Sequence, residues 1–234
     1  MKKYIAFTLL FMSNLMSAQN RQILEAASGD DLSQVVPTQI QYIFSEFTSG
    51  DVHFFRSPRV NGMLNYNMLV GEMQFVKNGH IQALANVENV ILVNIDNRKF
   101  FPYRRNEFTE ELLSIGTTHL RVRRVGKAVP HSRRGAFGTW SSTSAITTIS
   151  TINHTDGRQH ELSVTERIMV TVNSHYYLVG ANGRHRQIRN VNAFVRQFPG
   201  HRAQIENFVR EHNIRFNNED DLKKLLKYSG MLVN

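Results

Sequence analysis

The chain has 234 residues, 41% of them hydrophobic, and a formal net charge of +9. It contains no cysteine, which excludes disulfides, thiolate metal sites and cysteine nucleophiles; a chain of this length can bury a core without such staples. The charge is uneven: residues 98–134 hold ten basic and three acidic side chains, whereas residues 19–97 hold four and eight, so the densest positive field lies mid-chain and bears on partners rather than on fold.

The chain opens with Lys2 and Lys3, an apolar run from Tyr4 to Met12 broken only by Thr8, and a polar stretch leading to Ser17-Ala18 before Gln19. This is the layout of a secretory signal peptide, with a cut expected after Ala18. The apolar run is shorter than the ~20 residues a bilayer span needs, and no later segment reaches that length, so the expectation is an exported chain that is not transmembrane. Residues 19–36 read as a flexible lead-in around the turn cluster Ser28-Gly29-Asp30-Asp31, with Pro37 opening the folded domain.

From about Val52 the chain reads as short strands joined by two-residue turns. Asn78-Gly79 separates Glu72–Val76 from His80–Ala85, and Asp96-Asn97 separates Val90–Ile95 from Arg98–Phe101. Asp156-Gly157 precedes Arg158–Val164, and Asn173-Ser174 separates Ile168–Val172 from His175–Val179. Such pairs tolerate the positive φ that tight hairpins demand, so the pattern predicts an antiparallel meander. In Leu120-Arg121-Val122-Arg123-Arg124-Val125 the apolar residues largely recur at period two, which puts arginine on the opposite face of a strand. Thr139–Thr151, rich in Ser and Thr, reads as a loop entering a strand.

The period then changes. Val191, Phe194, Val195 and Phe198 have helical spacing behind Asn190 as N-cap, and Ile205, Phe208 and Val209 repeat it after the Pro199-Gly200 break. A third helix is capped by Asn218, carries Glu219, Asp220 and Asp221 in its first turn and Leu222, Leu225 and Leu226 as its core stripe, and is expected to stop at Gly230. The predicted fold is therefore α+β, mainly β: an antiparallel meander, roll or sandwich, over residues 37–188, with C-terminal helices over 189–230 packed on it.

Leu64-Asn65-Tyr66-Asn67, Gly71-Glu72-Met73-Gln74-Phe75, Arg98-Lys99-Phe100, Thr143-Ser144-Ala145-Ile146 and Asn218–Leu226 resemble a family of uncharacterised exported proteins of Bacteroidota-type Gram-negative bacteria. The similarity spans roughly residues 42–228. It implies export to the periplasm, the cell envelope or the medium and a single folding unit, and it carries over no catalytic residue.

No catalytic or metal-binding constellation stands out. The ten histidines show no HExxH or paired spacing, although His154 and His160 flank a turn. Gly138-Thr139-Trp140-Ser141-Ser142 is not a nucleophile elbow. Glu72 is the one acid worth singling out; it is expected to face water from a strand or to hold a turn near Gly71. The basic stretch carries more weight. Arg121, Arg123, Arg124, Lys127, Arg133 and Arg134, with His131, are expected to form an anion-contacting surface. Outside the cytoplasm its partners would be anionic lipid, glycan or an acidic envelope protein; nucleic acid is disfavoured because no binding motif accompanies the charge. The functional expectation is an exported, non-catalytic binding or scaffolding protein that needs no cofactor. The competitor is a hydrolase of envelope material with no site identified.

Overall fold

A computed structural model describes residues 21–26, 32–134, 140–142 and 166–233. The signal-peptide assignment, the Ser28–Asp31 cluster, the Asp156-Gly157 turn and the His154/His160 pair lie outside those residues, as does most of Thr139–Thr151.

Strand β1 (Arg21–Ala26) is followed by two short helices, α1 (Leu32–Val35) and α2 (Thr38–Gln41). Then come β2 (Thr48–Phe54), β3 (Ser57–Asn67), β4 (Glu72–Lys77), β5 (His80–Ala83), β6 (Val90–Ile95), β7 (Arg98–Pro102) and β8 (Phe108–Ile115). The two longest of the described strands are β9 (Thr118–Arg134) and β11 (Glu166–Val179); β10 (Trp140–Ser142) and β12 (His185–Gln187) are short. Helices α3 (Val191–Val195), α4 (Arg202–Glu211) and α5 (Glu219–Val233) end the chain.

Among the described residues, all twelve strands join one antiparallel sheet in the order β1-β11-β9-β8-β7-β6-β2-β3-β4-β5, with β10 on β9 and β12 on β11. Local chemistry sets two of the hairpins. Asn78 and Gly79 (φ 52° and 77°) join Lys77 to its partner His80, and Asp96 and Asn97 (φ 47° and 61°) join Ile95 to Arg98, as two-residue turns with positive φ require. Two further turns are not among those expected: Gly116-Thr117 between β8 and β9, where Gly116 takes φ 53°, and Phe55-Arg56 between β2 and β3, which carries no glycine or Asn/Asp signal although Arg56 takes φ 65°.

Three expectations are corrected. Arg21–Ala26, read as part of an irregular lead-in, is a strand paired with β11 from Arg21↔Thr171 to Ala26↔Glu166. Asn173-Ser174 is not a turn: both residues sit inside β11, opposite Val125 and Arg124 of β9. An Asn-Ser pair lacks the glycine that makes positive φ cheap, and the continuous ladder with β9 offers the backbone a better set of hydrogen bonds. The last helix passes through Gly230 to Val233.

The sheet bends back on itself. The Tyr66 hydroxyl of β3 lies 3.4 Å from the backbone N of Phe108 on β8, and Gly126 N of β9 donates to Met68 O just after β3 at 2.8 Å, although several strands separate these partners along the order. The Leu-Asn-Tyr-Asn piece serves this bend. Asn65, fully buried, donates to Phe44 O and Glu46 O at 2.9 and 3.1 Å, and Asn67 accepts from Leu69 N at 3.0 Å. A buried amide must find partners, so these two residues fix where the neighbouring backbone runs.

Two main cores result. One face of β9 and β11, with Leu120, Val122 and Leu178, packs on Phe194, Ile205 and the Leu222, Leu225, Leu226 stripe. The other, including Val52, Tyr66, Val93, Phe100 and Phe108, fills the bend of β2–β8. The helical stripe thus lies in the core, as its spacing implies.

Candidate binding cleft beside strand β11

Alternation along β9 decides where the arginines go. Leu120, Val122 and Arg124 face the helices; Arg121 and Arg123 face the opposite side of the sheet, where Arg121 lies 3.8 Å over the Phe101 ring and Arg123 meets Glu107 at 2.6 Å. The single anion-contacting surface expected from Arg121, Arg123 and Arg124 is therefore split between two faces, and each of the three already has a carboxylate. Arg121 has Glu111 at 3.7 Å, and burial lowers its pKa against the pull of Glu111. Lys127 and His131 are exposed. Arg133 and Arg134 lie in β9 opposite Glu166 and Trp140, and their side chains are outside the described residues.

On the helix side the ion pairs form a chain. Glu110 of β8 takes a two-pronged contact from Arg98 of β7, Nε to Oε1 at 2.6 Å and Nη2 to Oε2 at 2.7 Å. Arg124 contacts the same carboxylate and reaches Glu219 at 2.9 Å, and Glu219 in turn accepts from Lys223 at 2.6 Å. The fork geometry of arginine suits this bridging role. Burial alone would raise the pKa of Glu110, but the Arg98 hydrogen bonds and the Arg124 charge outweigh it and hold the carboxyl below its ordinary range. Arg98 is also stacked over Phe44 at 4.8 Å.

A cleft of about 610 Å³ opens beside this chain, bordered by Tyr42, Met68, Arg98, Arg124, Asn218 and the Val172–Tyr176 stretch of β11. A second cavity of about 440 Å³ continues it past Ser174–Tyr176 toward Arg189 and Asn217. At the rim, His175 is held below its ordinary pKa by burial and then by the charges of Arg123, Arg189 and Lys127. The helices bring Glu219 and Asn218 to the cleft: Asn218 Oδ1 accepts from Asp221 N at 2.9 Å, which fixes the start of α5 there.

The far face of the sheet holds an aromatic cluster. His185 lies edge-on to Tyr103 at 4.9 Å and to Tyr177 at 5.9 Å. Burial, then the charge of Arg121, pushes its pKa down to about 4. Elsewhere, His119 meets Glu111 at 2.7 Å, and His53 meets Asp51 with Asn94 alongside. No group of three or more His, Asp or Glu able to hold a metal ion is found among the described residues, and no helix among them is long and apolar enough to cross a membrane.

Glu72 is corrected: it is buried at 7% exposure rather than facing water. It sits opposite Asn67 at the end of the β3–β4 ladder, beside the Tyr66 hydroxyl whose pKa burial raises. Sequence reasoning missed Tyr42, just after α2, Arg98 on β7 and Glu110 on β8, which have no shared spacing. It read Glu219 only as a charge at a helix start, which it also is. The chain matches no protein-family model, no curated protein and no solved structure.

Proposed function

We propose that this is an exported, non-catalytic binding protein of the cell envelope whose ligand site is the cleft beside β11. The observation that supports it is the floor of that cleft. Its lining residues Arg98, Arg124 and Glu219 are tied together through the buried Glu110, with Lys223 at the far end, in a continuous run of ion pairs. A carboxylate kept deprotonated by two guanidiniums is a poor proton donor and a weak base, so Glu110 suits a fixed polar surface better than the acid–base work a hydrolase would ask of it. The partner is read as anionic. Around His175 stand Arg123, Lys127 and Arg189 against Glu107, and such a field favours anions. The bend that brings Met68 to Gly126 supports the reading of the sheet as a curled roll.

The test is retention on immobilised poly-glutamate across a salt gradient. The double change Lys127→Glu with Arg189→Glu alters two exposed side chains outside the ion-pair run. Retention at low salt is expected to fall by about tenfold, and the difference should vanish near 1 M salt, where the Debye length is about 3 Å. Equal retention of both proteins at every salt concentration would end the reading. The triple change Arg121→Ala, Arg123→Ala and Arg124→Ala is a worse probe, because it takes an arginine away from four carboxylates, Glu107, Glu110, Glu111 and Glu219.

A further inference from the structure

We propose that the cleft takes an extended acidic polypeptide segment, added as a strand against Val172–His175 of β11; the inference rests on reading the cleft as a ligand site. One edge of β11 is covered throughout by β9. The other is covered by β1 as far as Thr171, opposite Arg21, and by β12 from Tyr177, opposite Gln187. Between them no strand pairs with β11 among the described residues, and both cavities border that stretch.

Two hydrogen bonds set the phase of the open edge. Ile188 N donates to Tyr176 O at 2.9 Å, so the Tyr176 carbonyl points away from β9. Gly126, opposite Val172, donates its N–H to Met68 instead of to β11. By the period of a strand, the N–H and C=O of Val172 and Ser174 also face the open edge. From Thr171 to Tyr177 the gap measures roughly 20 Å at about 3.3 Å per residue, room for four or five residues. Donors and acceptors repeating at this spacing match a polypeptide backbone, the recognition mode of strand addition, better than a lipid headgroup or a sugar ring.

The charge of the occupant follows from the side chains. Its alternate residues would lie beside Asn173 and His175, on the face that carries Arg123, Lys127 and Arg189. Lys127 and Arg189 have no carboxylate partner among the described residues; Arg189 bonds only Gln187, at 2.7 Å. Acidic side chains complement that face. The residue opposite Ser174 points into the larger cavity, toward Tyr42 and Tyr176, which suits an aromatic side chain.

The probe is a fluorescein-labelled pentapeptide, Ac-Thr-Glu-Tyr-Glu-Thr-NH2, followed by anisotropy with the full chain and with the chain beginning at Gln19. Two control peptides accompany it, one with lysine for glutamate and one N-methylated at the tyrosine amide, which keeps charge and shape but cannot donate to Ser174. Each control is expected to bind at least about tenfold more weakly, the equivalent of about 1.4 kcal/mol. Lys127→Glu with Arg189→Glu should invert the preference between the acidic and lysine peptides. Because the blocking group sits on the peptide, the test of strand addition itself needs no variant of the protein. Equal binding of the N-methylated peptide would overturn strand addition while leaving the anion-binding cleft in place. Failure of the peptides and of poly-glutamate together would remove both. If a chain beginning at Arg21 bound the acidic peptide about tenfold more tightly than the chain beginning at Gln19, the residues before Arg21 would be the occupant, and the partner would be overturned.

Discussion

Arg124 sits between Glu110 and Glu219, and its loss would leave Glu110 with Arg98 alone. Removing one member of a buried ion pair costs more than the pair contributes, because the remaining charge stays desolvated. Arg124→Ala is therefore expected to lower unfolding stability by about 3 kcal/mol. Adding Glu110→Gln should cost less than the two single changes summed; additive effects in a urea-denaturation cycle would contradict the pairing. His185 supplies a pH signature. Its pKa falls from 6.5 to about 4 in the folded protein, so the unfolded chain binds more protons between those values. Stability is thus complete above pH 6.5 and declines as pH drops toward 4. His185→Gln should make the melting temperature fall less steeply across that window, leaving the share that His175, also held below its ordinary pKa, contributes there and the loss that Glu110 contributes below the ordinary carboxylate range. At this scale the sequence is only half legible. Period two separated Arg121 from Leu120 and Val122, but the carboxylates that claim Arg123 and Arg124 lie 16 and 14 residues earlier, across a hairpin.

Elements with their own chemical punctuation were readable. Asn78-Gly79 and Asp96-Asn97 carry turns, and Asn190 caps α3 through Ala193 N at 3.0 Å. Where long-range pairing decided the outcome, local signals misled. Asn173-Ser174 looks like a turn in isolation and is carried straight by β9, and Gly230 looks like a helix stop. Its real constraint is proximity: a Cβ there would lie 2.6 Å from Ile115 Cγ2 of β8. Replacing a helical glycine with alanine gains up to about 1 kcal/mol of propensity, whereas forcing a methyl into packed core costs about 1–3 kcal/mol. Gly230→Ala is accordingly expected to destabilise the protein by about 1 kcal/mol net. A stabilised variant in denaturant titration would show that α5 is not pressed against β8.

The whole molecule was the least legible scale. Hydrophobic alternation foretold a sheet and helical spacing foretold its cover, but the bend that brings Met68 to Gly126 depends on buried amides whose partners are named only in three dimensions. The cleft joins α2, β7, β9, β11 and the start of α5, five separate parts of the chain. Export remains the reading of the first residues, and N-terminal sequencing of the native protein is expected to begin at Gln19; an intact Met1 on a cytosolic product would contradict it.

The most direct test is amide hydrogen exchange at Ser174, followed residue by residue with and without the acidic pentapeptide. Strand addition predicts that the Ser174 N–H, which faces the open edge, exchanges quickly alone and becomes protected by at least about tenfold when the peptide binds, while the N–H of Asn173, turned toward β9, is slow in both states. A Ser174 amide already slow without peptide, or one unmoved by saturating peptide, would contradict it.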